Sequence, residues 1–488
     1  MPFQTVILWT DWLMFLLVGV IVLAAIYVRG REHLLAPWRR VTYSVSGMVG
    51  LTVLLMFVVV GLLDSLHYRP RLAGKEVAAR VVYASEVKSA LDAVLEPLRS
   101  RREKTYSAPL AAQLFAKETI EREDGSQSRD YPRLKYGGAQ LKDPAAEWTS
   151  SVARAALGGA AAGGVAWLVI ALCVAAALAQ ATQQRIHPVW EALWRGDTEV
   201  PWRVILLTLL GLCLAGGAVI ALAQNYHVLG TDKVGQDVLY LTLKSIRTAL
   251  VIGTLTTLVM LPFALALGIA AGYFGGWIDD AIQYLYTTLN SIPGVLLIAA
   301  AVLMMQVYID THTELFPTAA QRADLRLLFL CIILGVTSWT GLCRLLRGET
   351  LKLRELEYIQ AAHAFGVRHH RVISRHILPN VMHIVLISVV MEFSGLVLAE
   401  AVLSYVGVGV DPSMNSFGTL INNARLEMAR EPMVWWSLAA AFVFMVTLVL
   451  AANLFADAVR DAFDPRVRTR LRPLRKVPPA VQRGAPRR

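Results

Sequence analysis

Long apolar runs separated by short charged clusters set the pattern of this chain. Runs near Trp12–Tyr27, Val41–Leu63, Ala155–Ala179, Val204–Ala223, Ala249–Tyr273, Ala281–Val307, Leu325–Cys343, His383–Val406 and Val434–Ala456 stand out. A helix needs roughly 20 apolar residues to cross a hydrocarbon core, because lipid offers the backbone no hydrogen-bond partners. The pattern therefore predicts an all-α polytopic membrane protein with about nine transmembrane helices, of which the first is the shortest.

One stretch departs from the bundle. From Asp64 to about Ser151 the sequence turns polar and mixed in charge, which predicts a small soluble insert over 64–151. Within "KEVAARVVYASEVKSALDAVLEPL", Val77, Val81, Val82, Ala84, Val87, Leu91, Val94, Leu95 and Leu98 recur at three- and four-residue steps, the spacing of an amphipathic helix broken at Pro97. The following "EREDGSQSRDYPRLKYGGAQLKDP" reads as loop and turns.

Composition agrees with the membrane reading: of 488 residues, 56% are hydrophobic and only 17% charged. The first run is not a signal peptide by pattern. No Lys or Arg precedes it, Asp11 lies in its flank, and its basic cluster (Arg29, Arg31, Arg39, Arg40) follows it. It reads as a retained span with the N-terminus outside. Cys173, Cys213, Cys331 and Cys343 all fall within spans, where cysteine acts as a small hydrophobe.

With the Arg29–Arg40 loop in the cytoplasm, the loops at 183–203, 275–280 and 344–376 and the C-terminus share its side, and the 64–151 insert lies outside. A cysteine placed at Ser126 would then face outwards and one at Ser374 inwards. The tail after Arg460 supplies most of the net charge of +11 and fits attraction to anionic membrane lipid; it has no aromatic interleaving of the kind that accompanies nucleic-acid binding.

Catalytic chemistry is not signalled: the chain has no G-x-x-x-x-G-K-[ST], H-E-x-x-H, C-x-x-C or G-x-S-x-G. The unusual groups are ionisable residues in or beside spans. A charge at mid-bilayer costs several kcal/mol, so Glu392 and Glu400 should face protein or a water-filled path, and both are candidates for a translocation path. His363, His369, His370 and His376 cluster without a Cys or carboxylate to complete a shell, so no metal is expected.

The segment "EYIQAAHAFGVRHHRVISRHILPN" at 357–380 sits between two spans. It predicts a short helix holding Ala361 and Ala362, a close-approach point at Gly366 and a second helix ending at Pro379, with Arg354, Arg368, Arg371 and Arg375 placed to meet carboxylates or headgroups. The segment resembles the cytoplasmic EAA loop of ABC importer permeases. Gln360, Ala361, Ala362, Gly366, Leu378 and Pro379 match its spacing, Gln360 stands for the Glu, and His376 for the Ile. "VLGTDKVGQDVLY" at 228–240, which carries Gly230, Thr231, Asp232, Gly235 and Asp237, is similar to the H-x-x-G-T-D-x-x-G-R-D-V-L segment of the dipeptide/oligopeptide C-type subunits, with Gln236 for Arg. "AGYFGGWIDD", "LAEAVLSYVGVGVDP" and "DAFDPR" follow in the same family order, so the resemblance covers roughly 203–466.

That resemblance implies a type I ABC importer permease bundle in the C-terminal part, in the bacterial inner membrane. It assigns ATPase coupling to a loop at 344–380, with Glu357, Gln360, Ala361, Ala362, Gly366, Arg371, His376, Leu378 and Pro379 as its residues. The implied partners are a second, B-type permease subunit, two ABC ATPase subunits that use the ATP, and an extracytoplasmic solute-binding protein. The implied cargo is peptides or peptide-like solutes, and the chain itself binds no cofactor. The expected organisation is two spans in 1–63, the insert at 64–151, an extra span and cytoplasmic loop at 152–202, the family's first span at 203–227, the permease domain at 228–460 and a basic tail at 461–488. Residues 1–200 exceed the short family architecture. A secondary transporter would need internal repeats, and a membrane sensor built on 64–151 would need an output module; neither is visible.

Overall fold

A computed structural model describes residues 3–77, 80–84, 86–121, 127–196, 198–312, 314, 316 and 318–463. Ser126, the last three residues of the "DAFDPR" motif and the basic tail after Phe463 lie outside the described residues.

The chain opens with β1 (Phe3–Val6), α1 (Trp9–Arg29), α2 (Glu32–Tyr43) and α3 (Val45–Asp64). The insert holds β2 (His67–Val77), β3 (Arg80–Tyr83), β4 (Lys88–Ser89), α4 (Ala90–Val94), α5 (Glu96–Ser100), β5 (Glu118–Glu121) and β6 (Gln127–Asp130). Then come α6 (Pro144–Thr182), α7 (Ile186–Arg195) and α8 (Trp202–Ala223). The remainder is α9 (Val238–Phe274), α10 (Gly276–Ser291), α11 (Gly294–Thr311), α12 (Ala319–Ser338), α13 (Thr340–Arg354), α14 (Glu357–Ala364), α15 (His369–Val372), α16 (Leu378–Val406), α17 (Phe417–Met428) and α18 (Trp436–Phe463). Nine helical segments among the described residues are long and apolar enough to cross a membrane.

β1 pairs antiparallel with β2, Val6 opposite His67 and Phe3 opposite Pro70, so the N-terminus and the insert share one face. On the opposite face α2 packs Val41 and Trp38 against Ala458, Val459, Ala462 and Phe463 at the end of α18. The bundle core between the faces joins Ile246, Leu250 and Ile252 of α9 to Leu327 and Leu330 of α12, Val397 of α16, Leu448 of α18, Phe57 of α3 and Met14 of α1.

The extension is tied to this bundle by buried charge. Arg247 donates to Asp11 at 2.6 Å and lies 3.6 Å from Asp324, while Lys244 meets Asp64 at 2.5 Å and Asp92 at 3.2 Å. Charges so placed stand only in pairs, because removing one partner strands the other away from water. α6 and α8 instead approach along small residues. A Cβ on Gly163 would stand 2.0 Å from the Cys213 carbonyl oxygen and one on Gly159 would stand 2.3 Å from that of Gly217. This is the close backbone approach that small residues allow in membranes.

Four expectations are corrected. Within the helix expected over Lys75–Leu98, the described residues up to Val77 and from Arg80 to Tyr83 are strand, and helix begins only at Ala90. β3 pairs antiparallel with the end of β2, Val77 opposite Arg80, and β1 pairs with the start of β2, His67–Pro70, a partner some sixty residues away that local periodicity does not reveal. Pro97 starts α5 at a position where its missing N–H costs nothing, and the expected loop after it contains the β5–β6 hairpin. The span at Ala281–Val307 is two helices, α10 and α11, parted at Pro293, and the turn at 275–280 contracts to Gly275 because α10 begins at Gly276. Finally, α6 starts at Pro144, eleven residues ahead of the run expected from Ala155.

Candidate functional site

The 344–380 segment is more helical than a loop. α13 carries the chain to Arg354, Leu356 is extended, and α14 follows. Ile359 is the fully buried side of α14. It joins Leu346, Cys343, Tyr273, Ile282, Val372, Ile377 and Val381 in an apolar platform drawn from α9, α10, α13, α15 and α16. α14 ends in a C-terminal motif with a left-handed residue: Gly366 N–H donates to His363 O at 2.9 Å and Val367 N–H to Ala362 O at 3.0 Å. Gly366 has φ +71°, a region other L-residues enter only at a cost, and nothing lies within 4 Å of where its Cβ would be.

Pro379 does not end a helix, contrary to the reading of Leu-Pro as a stop. α15 runs through a wide π turn, Ile373–Ile377, straight into α16, with Pro379 in the first turn of that helix. The Leu378 N–H bonds to Ile373 O, five residues back, so the widened turn sits just before the residue that lacks a donor.

Three contacts fix the element to the bundle. The Tyr273 hydroxyl at the end of α9 lies 3.1 Å from His363 Nε2 and 2.9 Å from His369 Nδ1. Arg347 clasps Asp279 with two bonds of 2.5 and 2.6 Å, and Arg354 donates to the Tyr273 carbonyl at 3.3 Å. Of the residues singled out by sequence, Glu357, Gln360, Ala361, Gly366, Arg371 and Pro379 are exposed, while Ala362, His376 and Leu378 are half-buried. Gln360 turns its amide to Glu355 O at 3.2 Å. Phe365, 86% exposed, stands beside Gly366 as a bare aromatic knob. Sequence reading passed over it although it adjoins the matched Gly. Tyr273 lies about ninety residues from its histidines, and no short-range pattern links them.

At the other end of α9, Asp237 caps the helix, accepting from Leu239 N–H at 2.8 Å and Tyr240 N–H at 3.3 Å. Asp232 closes the preceding turn by accepting from Val234 and Gln236 N–H. Thr231 locks the loop to the insert: its Oγ1 accepts from Ser107 N–H at 2.7 Å and donates to Thr105 O at 2.8 Å. Gly235 has φ +72° and a Cβ there would collide with the Glu103 carbonyl at 1.9 Å, so Gly230, Thr231, Asp232, Gly235 and Asp237 form the seat of the insert.

The Glu103 carboxylate accepts from the N–H groups of Lys135, Tyr136 and Gly137 at 2.8–3.1 Å and faces His227 Nε2 at 3.4 Å, while His227 Nδ1 meets Asp237 at 2.8 Å. Burial pulls the His227 pKa down, but its hydrogen bonds to Asp237 and Glu103 outweigh that and raise it to about 9. Burial would raise the Glu103 carboxyl, yet the bonds from His227 and the three backbone N–H groups lower it to about 2.

The two span carboxylates differ. Glu400 is buried between α16 and α17, accepting from Ser404 Oγ at 2.6 Å and Ser416 Oγ at 2.8 Å, an arrangement that serves packing. Glu392 is half-buried on α16 and makes no hydrogen bond or ion pair among the described residues. No cluster of three or more His, Cys, Asp or Glu among the described residues is placed to hold a metal.

Residues 264–469 match the family described as "Binding-protein-dependent transport system inner membrane component". The chain is 33% identical over 249 residues to the oligopeptide transport system permease protein OppC of Mycobacterium tuberculosis H37Rv, covering 51% of this chain and 79% of that one. It is 31% identical to the OppC of Haemophilus influenzae, over 50% of this chain and 72% of the relative. The dipeptide transport system permease protein DppC of Bacillus subtilis is 27% identical, with 50% and 69% covered. The matched half is C-terminal, which leaves the N-terminal extension as additional to the relatives.

Proposed function

We propose a function from one premise: this chain belongs to the family of binding-protein-dependent transport system inner membrane components, on its oligopeptide and dipeptide side. It is a multi-pass permease component of a bacterial ABC importer and not a catalyst. In systems of this family, ATP is hydrolysed by partner ATPases, alongside a partner permease and a binding protein. On our reading the chain forms half of a path for peptides or peptide-like solutes beside a B-type permease. The insert and N-terminus are outside, and the element at Glu357–Pro379 meets the ATPases in the cytoplasm.

The observation that supports this most directly is the short helix α14, held on an apolar platform, with small residues and the bare Phe365 directed away from the bundle. An exposed aromatic flanked by small residues is the make-up of a hot spot for a protein groove. Phe365→Ala should therefore weaken ATPase binding by about 2 kcal/mol, roughly thirtyfold, and lower uptake of labelled peptide in proportion. Co-purification of the ATPases at the unmodified level would place their grip elsewhere.

Sidedness has its own test. In a cysteine-free background, Ser100→Cys at the end of α5 should react with an impermeant thiol reagent from outside, and Ser374→Cys in the π turn only from the cytoplasm. Both positions are exposed. The reverse labelling pattern would invert the proposed topology.

A further inference from the structure

α2 joins two spans with almost no slack. Gly30 and Arg31 separate it from the end of α1, and Ser44 alone separates it from the start of α3. Both neighbours are long and apolar enough to cross a membrane, so both ends of this 12-residue helix are held at the level of the membrane surface. It therefore lies along that surface, as interfacial helices do.

Its two faces differ. Trp38 and Val41 pack on Ala458, Val459, Ala462 and Phe463 at the end of α18. At 3.6 residues per turn, Arg39 and Arg40 fall on either side of the line opposite that face, the first exposed and the second half-buried. Arg29 and Arg31, both exposed, stand at the junction with α1, where Arg31 lies over the Tyr27 ring at 4.4 Å. None of the four arginines makes an ion pair among the described residues, and Glu32 is the one carboxylate in the sequence from 29 to 43.

A guanidinium at this level sits among lipid headgroups, and a phosphodiester offers it two oxygens that match its fork. A zwitterionic headgroup brings an ammonium with the phosphate and offsets the attraction, whereas an anionic one does not. Each arginine near an anionic surface is worth about fivefold in affinity.

We propose that α2 is the anionic-lipid contact of the extension: Arg39 and Arg40, with Arg29 and Arg31 beside them, hold the phosphodiesters of phospholipids such as phosphatidylglycerol, while Trp38 and Val41 keep the helix on α18. The proposal needs α1 and α3 to span. It uses neither the transport reading nor the assignment of one face as cytoplasmic.

The test places the purified full chain in micelles holding equal amounts of phosphatidylglycerol and phosphatidylcholine, and quantifies the lipid that co-elutes with it on gel filtration. The unmodified chain should keep phosphatidylglycerol over phosphatidylcholine by about tenfold or more. Arg39→Gln with Arg40→Gln leaves Arg29 and Arg31 to hold the orientation of the spans, and should cut that preference at least about fivefold with the elution position and melting temperature kept. The basic tail is the same in both proteins, so the difference reads α2. Arg39→Lys with Arg40→Lys keeps the charge and should keep at least about half of the preference. If the Gln variant misfolds, screening decides: about 0.5 M sodium chloride should cut the preference of the unmodified chain at least about fivefold. Inorganic phosphate at about 10 mM should displace none of the lipid, since a free ion lacks the acyl chains that hold the headgroup at the surface. Displacement by phosphate, an unchanged preference in the folded Gln variant, or a preference indifferent to salt would each overturn the proposal. Equal retention of the two lipids by the unmodified chain would overturn it too, and would leave the four arginines to an acidic protein segment.

Discussion

Gly366→Trp is expected to cut peptide uptake and ATPase co-purification at least tenfold, while the protein still inserts and elutes as the unmodified chain does. The separation follows from where the side chain would go. Apart from the adjoining residues, no heavy atom lies within 4 Å of the Cβ position, so the side chain leaves the backbone into open space, and the turn bears the cost of a left-handed L-residue, about 1–2 kcal/mol. That cost falls on a turn held by two backbone bonds at the end of an eight-residue helix. Gly366→Asn separates strain from bulk. Asn tolerates φ near +71° and is small, so it should retain most of the uptake that Trp removes. Equal loss in both variants would mean that the turn geometry matters and not the space in front of it. Full activity with Trp would remove this face from the ATPase contact.

Glu103→Ala should destabilise the outer assembly by about 3 kcal/mol or more, read as a lower melting temperature and faster proteolysis of the insert. It removes the acceptor of three backbone N–H groups, of which that of Gly137 is buried and those of Lys135 and Tyr136 partly so, and leaves the His227 imidazolium with Asp237 alone. The same pair predicts a pH window. The Glu103 pKa is lowered to about 2, so its contribution is complete above about pH 4.5 and is lost as pH falls towards 2. The His227 pKa is raised to about 9, so its contribution is complete below about pH 6.5 and is lost as pH rises through 9. Hydrogen exchange at 103–107 and 227–237, corrected for the intrinsic pH dependence, should be slowest between about pH 4.5 and 6.5. A profile that is flat from about pH 6.5 to 10 would mean that the imidazole pKa is not raised in the folded state.

Which of these features could be read from the chain alone follows from how far apart the interacting residues lie. The spans were legible because each is set by its own twenty or so residues, and the coupling element because Gln360, Ala361, Ala362 and Gly366 fall within seven positions. The strands of the insert were not, since valines at three- and four-residue steps fit a helix until β3 is seen to pair with the end of β2 and β1 with its start. Pro379 misled for a related reason: Leu-Pro reads as a stop unless the preceding turn widens. His227 was within reach, as the His that opens the segment containing Gly230 and Asp237. Its second partner, Glu103, lies 124 residues earlier, in a stretch with no matching pattern. Asp11 was read only as a flanking charge, and its role came from Arg247, 236 residues away.

Those long-range pairs bear on how such a chain can change over time. Lys244, Arg247 and His227 lie on α9 or in the loop that leads into it, while Asp64, Asp92, Asp11 and Glu103, which pair with them, all belong to the extension. Removing the extension would therefore leave Lys244 without either of its carboxylates, and Arg247 and His227 with one each, Asp324 and Asp237. The two parts are coupled through these charges. A shortened descendant would survive only by replacing those cations first, so the order of substitutions is constrained by electrostatics before transport enters into it.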